Sequence, residues 1–247
     1  APISPRRIAD CTAPDAVWPR PQMDASAIAA AMVRGYQGSD FAAPNTMLAC
    51  VKHLALYGAA EGGRDYNSVD MSKVKMFNQY LLPYKAAVDA GVASAMTSFN
   101  DIDGVPATGN KWLIMDLLRE RWGFEGFVVS DYTAINEMIQ HGFAKDSTHA
   151  AMLAMNAGIE MDMMGSVYRK YLKRLIAEGK VDEATINEAC RLILKAKFDL
   201  GLFEDPYRYS NEKREKEIVY KKEFLEAARH AAAASSVLLK NKNNALP

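Results

Sequence analysis

Cysteine is scarce in this chain: Cys11, Cys50 and Cys190 are the only three in 247 residues, with no Cys-x-x-Cys pair and no Cys/His spacing. That excludes a zinc site of the usual spacing and leaves buried or idle thiols. No metal and no cofactor is expected. Net charge is lacking as well, since 30 basic residues balance 30 acidic ones. Without an excess of either sign there is no whole-surface field to hold nucleic acid or an anionic membrane, so neither is an expected partner. No apolar run approaches the roughly 18–20 residues of a membrane span. The N-terminus also lacks the basic-then-apolar order of a signal peptide, so no compartment is recorded in it. Internal repeats are absent.

What is present is an alternation of short apolar runs with helical patterns. Gly126-Phe-Val-Val-Ser-Asp-Tyr132 carries the sharpest signal. Its β-branched core, Phe127–Val129, reads as a strand buried on both faces, and it ends in Asp131, a carboxylate that a packed core does not accept unpaired. Met47–His53 and Val92–Asn100 repeat the design, each running from apolar to polar and each followed by a loop and a helical pattern. Gly158–Met164 reads as a fourth short strand with alternating acids. Strands that end in polar groups and alternate with helices describe a parallel α/β protein with its chemistry at the strands' C-terminal ends.

Three segments are expected. Residues 1–25 hold half of the ten prolines and read as irregular chain. Residues 26–203 carry the βα units, with a helical pattern from Ser26 through Ile28–Tyr36 (capped by Asp24 or Ser26 and ended by Gly38) and helices over Ser72–Ala90 (capped by Ser72 or Asp70, kinked or offset by Pro83), Lys111–Trp122, Ile135–His141, Thr148–Asn156, Tyr168–Glu178 and Asp182–Gly201 (opened by Val181-Asp182-Glu183 and closed by Gly201). Residues 204–247 read as a linker, a helix over Lys213–Ala234 and a last strand at Val237–Leu239. Four βα units are visible where a closed eight-fold barrel needs about eight, so the reading is a partial (β/α)8 TIM-type barrel. A strand at the extreme end of the sequence reads as the start of a further module.

Lys52, His53, Phe99 and Asp131 lie at the ends of separate strands, which a parallel barrel brings to one rim. Each has a bland alternative. Asp131 alone fits a cap on the next helix or a bond to a neighbouring loop, and a lone His53 fits a satisfied core residue. Adjacent residues on a strand point to opposite faces, so at most one of Lys52 and His53 aims inward unless the strand has already ended. Arg64 and Asp65, in the Gly-rich loop Tyr57–Asp70, either contact a ligand or pair with each other. Met161, Met163 and Met164 read as packing, and Asp162 is open. Lys52 at a strand end also admits a Schiff-base aldolase.

Lys52-His53 with Gly58, the loop Gly-Arg-Asp-Tyr-Asn-Ser-Val-Asp-Met-Ser72, Ser-Phe-Asn100 with Gly104-Val-Pro106, Gly126-Phe-Val-Val-Ser-Asp-Tyr132, Ala157-Gly-Ile-Glu-Met-Asp-Met163 and Ser236-Val-Leu-Leu-Lys-Asn241 stand in order at suitable spacings. Together they resemble glycoside hydrolase family 3, in its β-glucosidase and β-xylosidase branch, from about Ser26 to Pro247. The resemblance implies a retaining β-glycosidase on a barrel followed by an α/β sandwich domain. Asp131 stands as the nucleophile that carries the glycosyl intermediate, and Lys52 and His53 as holders of sugar hydroxyls. Phe99 occupies the place of an aromatic beside the sugar and Tyr132 that of one at the subsite edge. Arg64 and Asp65 are carried as substrate contacts.

The resemblance also implies a periplasmic or secreted location and a β-glucoside or oligosaccharide substrate. The family's early acid and its Asp-Pro-Arg-x-Gly-Arg stretch have no counterpart beyond a shadow in Ile3–Arg7, and Asp70-Met71-Ser72 lacks the His of the N-acetylglucosaminidase branch. The acid/base is expected from the sandwich domain, so this chain reads as roughly the C-terminal half of the barrel with the first strand of that domain, weakly active or inactive; the non-enzymatic alternative is a sugar-binding or residual fragment. Association through exposed barrel edges is the expected consequence.

Overall fold

The computed structural model describes residues 19–244. Of the irregular segment expected over 1–25, residues 1–18 lie outside the described ones, as do Cys11 and Ile3–Arg7. From Pro19 the chain is already helical, and α1 (Pro19–Gln37) starts seven residues before the expected Ser26. A proline in the first turn forfeits no hydrogen bond, so Pro19 opens the helix instead of opposing it. Gly38, at φ 58°, ends it as its position predicts.

Three parallel strands form the sheet: β1 (Cys50–Leu54), β2 (Ser94–Thr97) and β5 (Phe127–Val129), in the order β1-β2-β5. Cys50 pairs with Ser94 and Ser94 with Phe127, while Val51, Ala95 and Val128 form the next row. The expected fourth strand is only a bridge between Val129 and Met161. Its backbone still follows β5, with the Ser130 amide donating to the Met161 carbonyl (2.9 Å) and the Met161 amide to the Val128 carbonyl (3.1 Å). The alternating acids explain the shortfall, because Glu160 and Asp162 spend their carboxylates on neighbouring backbone instead of letting the segment run on as a ladder. Asp101–Asn110, expected as a loop, contains the small antiparallel hairpin β3 (Asp101–Ile102) and β4 (Val105–Pro106).

One face of the sheet is packed and the other is open. Ala95 and Val128 are fully buried beneath the helices, together with Leu113, Ile114, Leu117 and Leu118 of the π-helical segment Trp112–Arg121. On the other face Cys50 and Lys52 are exposed, and Met96 and Phe127 are half-buried. Cys50 and Cys190 are free thiols at the surface, so of the two alternatives, buried or idle, burial does not hold for these two.

The strand starts are stitched by Gln37, whose Oε1 accepts from the amides of Ala49 (3.1 Å) and Ala93 (2.9 Å). Gly126 lets β5 enter beside β2, since a Cβ there would lie 2.1 Å from the Ala93 carbonyl oxygen.

Pro83 acts as anticipated. The helix expected over Ser72–Ala90 is a turn at Lys73–Lys75, a π-helical stretch at Met76–Tyr80 and then α2 (Leu82–Asp89), with Pro83 in its first turn. Ser72 caps the start by accepting from the Lys75 amide at 3.3 Å. The helix after Asp131 is short, α3 (Ala134–Glu137), followed by α4 (Ser147–Ala157), α5 (Val167–Ala177) and α6 (Glu183–Asp199, capped by Asp182). The single helix expected over Lys213–Ala234 is two, α7 (Glu212–Ile218) and α8 (Lys222–Ser235), because Tyr220 adopts φ 60° and breaks the run. Val237–Leu239 is not a strand. Leu238 and Leu239 are exposed, and no neighbouring strand among the described residues completes a ladder for them.

Candidate active site

The rim is built where the three parallel strands end. Asp131 follows β5 by two residues, and Ser130 just before it is fully buried and works as a fastener. The Ser130 hydroxyl donates to the Asp131 carbonyl (3.0 Å) and accepts from the Met163 amide (2.9 Å), tying the strand exit to the neighbouring segment. Asp131 itself is only partly covered. Its Oδ1 accepts from the Tyr132 amide at 2.6 Å, and its Oδ2 lies 3.4 Å from His53 Nε2. One carboxylate oxygen is therefore pinned by backbone and the other faces the imidazole across the full width of β2. The cap reading of Asp131 fails for its carboxylate, which meets the Tyr132 amide of the neighbouring loop and His53; only its backbone carbonyl reaches the start of α3, accepting from the Ala134 amide at 3.1 Å.

His53 opens a line of rings. Its centroid is 5.1 Å from that of Tyr57, Tyr57 is 6.1 Å from Phe99, and Phe99 is 4.6 Å from Tyr66. Burial pushes the Tyr57 hydroxyl well above its usual range, and its hydrogen bond to Asp65 adds to the shift. Burial also raises the Tyr66 hydroxyl, with further contributions from the Glu137, Asp65 and Asp131 carboxylates. Tyr66 holds φ 65°, a conformation costing about 1–3 kcal/mol for a bulky residue, and the Asp65 carboxylate accepts its amide at 2.9 Å.

The remaining expectations divide. Asp65 pairs with Tyr57, not with Arg64, so the idea that the two charges pin each other is wrong; its Oδ1 is engaged by the Tyr57 hydroxyl and the Tyr66 amide, and Arg64 is exposed. Lys52 is exposed and sits in a bulge, since Val51 pairs with Ala95 but Leu54 pairs with Thr97. The bulge interrupts the alternation that a regular strand imposes on Lys52 and His53. Tyr132 is 56% exposed and touches Asp131 through its backbone.

Asp162 caps α5, accepting from the Val167 amide (2.7 Å), which is the bland reading. Glu160 is also structural, paired with Arg119 at 2.7 Å and accepting from the Val128 amide at 2.6 Å under the sheet. Burial holds its carboxyl above the usual range despite the guanidinium.

Sequence reasoning missed Tyr57, Tyr66, Ser130 and Glu137. Glu137 accepts from Thr133 Oγ1 at 2.9 Å, while its buried Oε2 has no hydrogen-bond partner among the described residues. Two tyrosines in a glycine-rich loop just after Lys52-His53 were the available signal. A cavity of about 290 Å³ lies elsewhere, at the strand entrances, lined by Leu48, Val92, Phe124, Phe127 and Leu192; it is remote from the polar rim.

The family model for the glycosyl hydrolase family 3 N-terminal domain matches residues 17–196. The chain belongs to glycoside hydrolase family 3. A periplasmic β-glucosidase of Salmonella typhimurium is 44% identical over 219 residues, covering 87% of this chain and 29% of that protein. A β-xylosidase of Formosa agariphila is 34% identical over 234 residues, covering 90% of this chain and 32% of its own. Among solved structures, β-glucosidase from Listeria innocua in complex with glucose superposes with a TM-score of 0.86 at 45% identity, covering 92% of this chain and 31% of that one. A mutant of that enzyme in complex with laminaribiose superposes with a TM-score of 0.87. The chain thus spans about a third of these family 3 proteins, and the fold is a partial α/β unit of their barrel-type N-terminal domain.

Proposed function

We propose that this chain is the nucleophile-bearing part of a retaining β-glycosidase, roughly the C-terminal half of the catalytic barrel, acting on terminal β-glucosides. The observation that carries the reading is the approach of His53 Nε2 to Asp131 Oδ2, 3.4 Å apart at the ends of two strands that flank a third. Asp131 attacks the anomeric carbon; the glycosidic C–O bond breaks and a glycosyl ester forms at the carboxylate. Water then attacks that carbon, losing its proton to the base, and Asp131 is released.

The Tyr132 amide fixes which oxygen is pinned, and the His53 imidazole is placed to meet a sugar hydroxyl beside the other. Lys52, Phe99 and Tyr132 supply further contacts from the same rim. We place the proton donor that the leaving oxygen needs outside the described residues, about 5–5.5 Å from the nucleophile in the assembled site. The 247-residue chain alone is therefore expected to turn over little, by about 10²–10⁴-fold for leaving groups that need protonation. The similarity to a periplasmic β-glucosidase supports a periplasmic or secreted location.

Lys52 does not favour the aldolase reading. An imine-forming lysine is activated by desolvation or a neighbouring cation, and this one is exposed. The test is an activated 2-fluoro aryl β-glucoside, which needs no acid to leave. Mass spectrometry of digested protein is expected to find the sugar on Asp131 and on no peptide of Asp131→Asn. A label on any other residue overturns the assignment.

A further inference from the structure

Rings run outward from the nucleophile: His53, Tyr57, Phe99, Tyr66. Tyr66 ends the line and is 44% exposed, while Phe99 beneath it is half-buried. The two rings are tilted by 37° at 4.6 Å, so Phe99 packs against Tyr66 while much of Tyr66 stays exposed. Holding a tyrosine there demands a left-handed backbone at φ 65°, which bulky side chains avoid. Asp65 maintains it: the one carboxylate oxygen accepts both the Tyr66 amide and the Tyr57 hydroxyl. The loop is anchored in turn to the hairpin, through Ser68 Oγ to Asp101 Oδ2 (2.7 Å) and the Val69 amide to the Asp101 carbonyl (3.0 Å). Backbone strain held in place by a dedicated carboxylate, at the open end of a line that starts at the nucleophile, is the signature of a contact surface.

We propose that Tyr66 is the platform for the group on the leaving side of the scissile bond and sets a preference for flat leaving groups, aryl or pyranosyl, over small alkyl ones. Asp65 is then a positioning residue that never touches sugar. This rests on the glycosidase reading above and deepens it. An aromatic face gains from a flat partner and gains little from a methyl group.

The test needs binding, not turnover. The affinities of the 247-residue chain for 4-nitrophenyl β-D-glucoside and methyl β-D-glucoside are compared by saturation-transfer NMR and titration. The unmodified chain is expected to favour the aryl glucoside by about 3–10-fold. Tyr66→Ala brings that ratio close to one, and Tyr66→Phe keeps it. Asp65→Ala lowers the ratio while Asp65→Asn restores it, because the amide oxygen still accepts both bonds. A ratio that survives Tyr66→Ala, or that falls equally in Tyr66→Phe, overturns the platform. A ratio that Asp65→Ala leaves intact, or that Asp65→Asn fails to restore, overturns the positioning role. If the unmodified chain binds neither glucoside, the glycosidase reading itself fails and this proposal with it.

Discussion

Residues 50–199 and residues 211–240 are written in much the same helical grammar, yet the first region buries side chains in each of its longer helices and the second buries none. The π-helical segment Trp112–Arg121 sinks Leu113, Ile114, Leu117 and Leu118 against the sheet, whereas α7 and α8 have no buried residue and Phe224 and Leu225 stay about half exposed. Both regions have caps and ion pairs. Asn211 caps α7 as Ser72 caps its own turn, and Lys213–Glu217 spans α7 much as Lys195–Asp199 spans the end of α6. Local signals therefore suffice to make helix in either place. Burial needs an opposing surface, which the sheet and the helices packed on it and on one another supply to the first region.

The largest effect that would test this contrast is at the buried ion pair. Glu160→Ala strands the Arg119 guanidinium under the sheet and is expected to cost about 3–5 kcal/mol in urea unfolding. The same change at Glu217, an exposed partner in α7, is expected to fall within about 0.5 kcal/mol. Glu160 also carries a pH signature. Burial raises its folded-state value above the ordinary 4.5, so the folded chain binds that proton more tightly than the unfolded one. Its contribution to stability is thus greatest below the unfolded value and declines as pH rises through the folded one. Glu160→Gln is expected to flatten that decline in denaturation midpoints measured across the acid range.

Next in size is Leu117→Ala, expected to cost about 2–5 kcal/mol, against less than about 0.5 kcal/mol for Leu225→Ala in α8. Equal costs would show that α8 is packed after all. Limited trypsinolysis sharpens the same comparison: within the described residues, cuts at Lys213, Arg214, Lys221 and Lys222 are expected well before any at Lys85 or Arg119. The smallest effect is at a cap, where Ser72→Ala should cost about 1 kcal/mol, read as a shift in thermal midpoint. Association through barrel edges is a further prediction, which a concentration-dependent rise in apparent mass by size-exclusion chromatography would register.

The contrast marks how far the residues alone could be read. The Phe127–Val129 strand was legible to the residue, because a β-branched run bounded by glycine and aspartate leaves few alternatives. The Pro83 offset and the Ser72, Asp182 and Gly38 boundaries were legible for the same reason, each being a property of a few consecutive residues. Val237–Leu239 was not, since a strand is defined by a neighbour and no pattern of its own supplies one. Asp162 stood open in the alternating Gly158–Met164 segment, and nothing in its immediate sequence set it apart from Glu160. Only their partners, Arg119 across 41 residues and the start of α5, separate a buried structural pair and a cap from an active acid.

Sequence by itself determined the alternation of strand and helix, the placement of a carboxylate at a strand exit and the ordered motifs of family 3, because these are carried by local composition and spacing. Tertiary structure alone decided that His53, and not Lys52, faces Asp131, that Asp65 serves two tyrosines instead of Arg64, and that Tyr66 closes the line of rings. Those outcomes turn on which way a side chain leaves a bulged strand or a left-handed loop residue, and that direction is set by contacts between segments far apart in the chain.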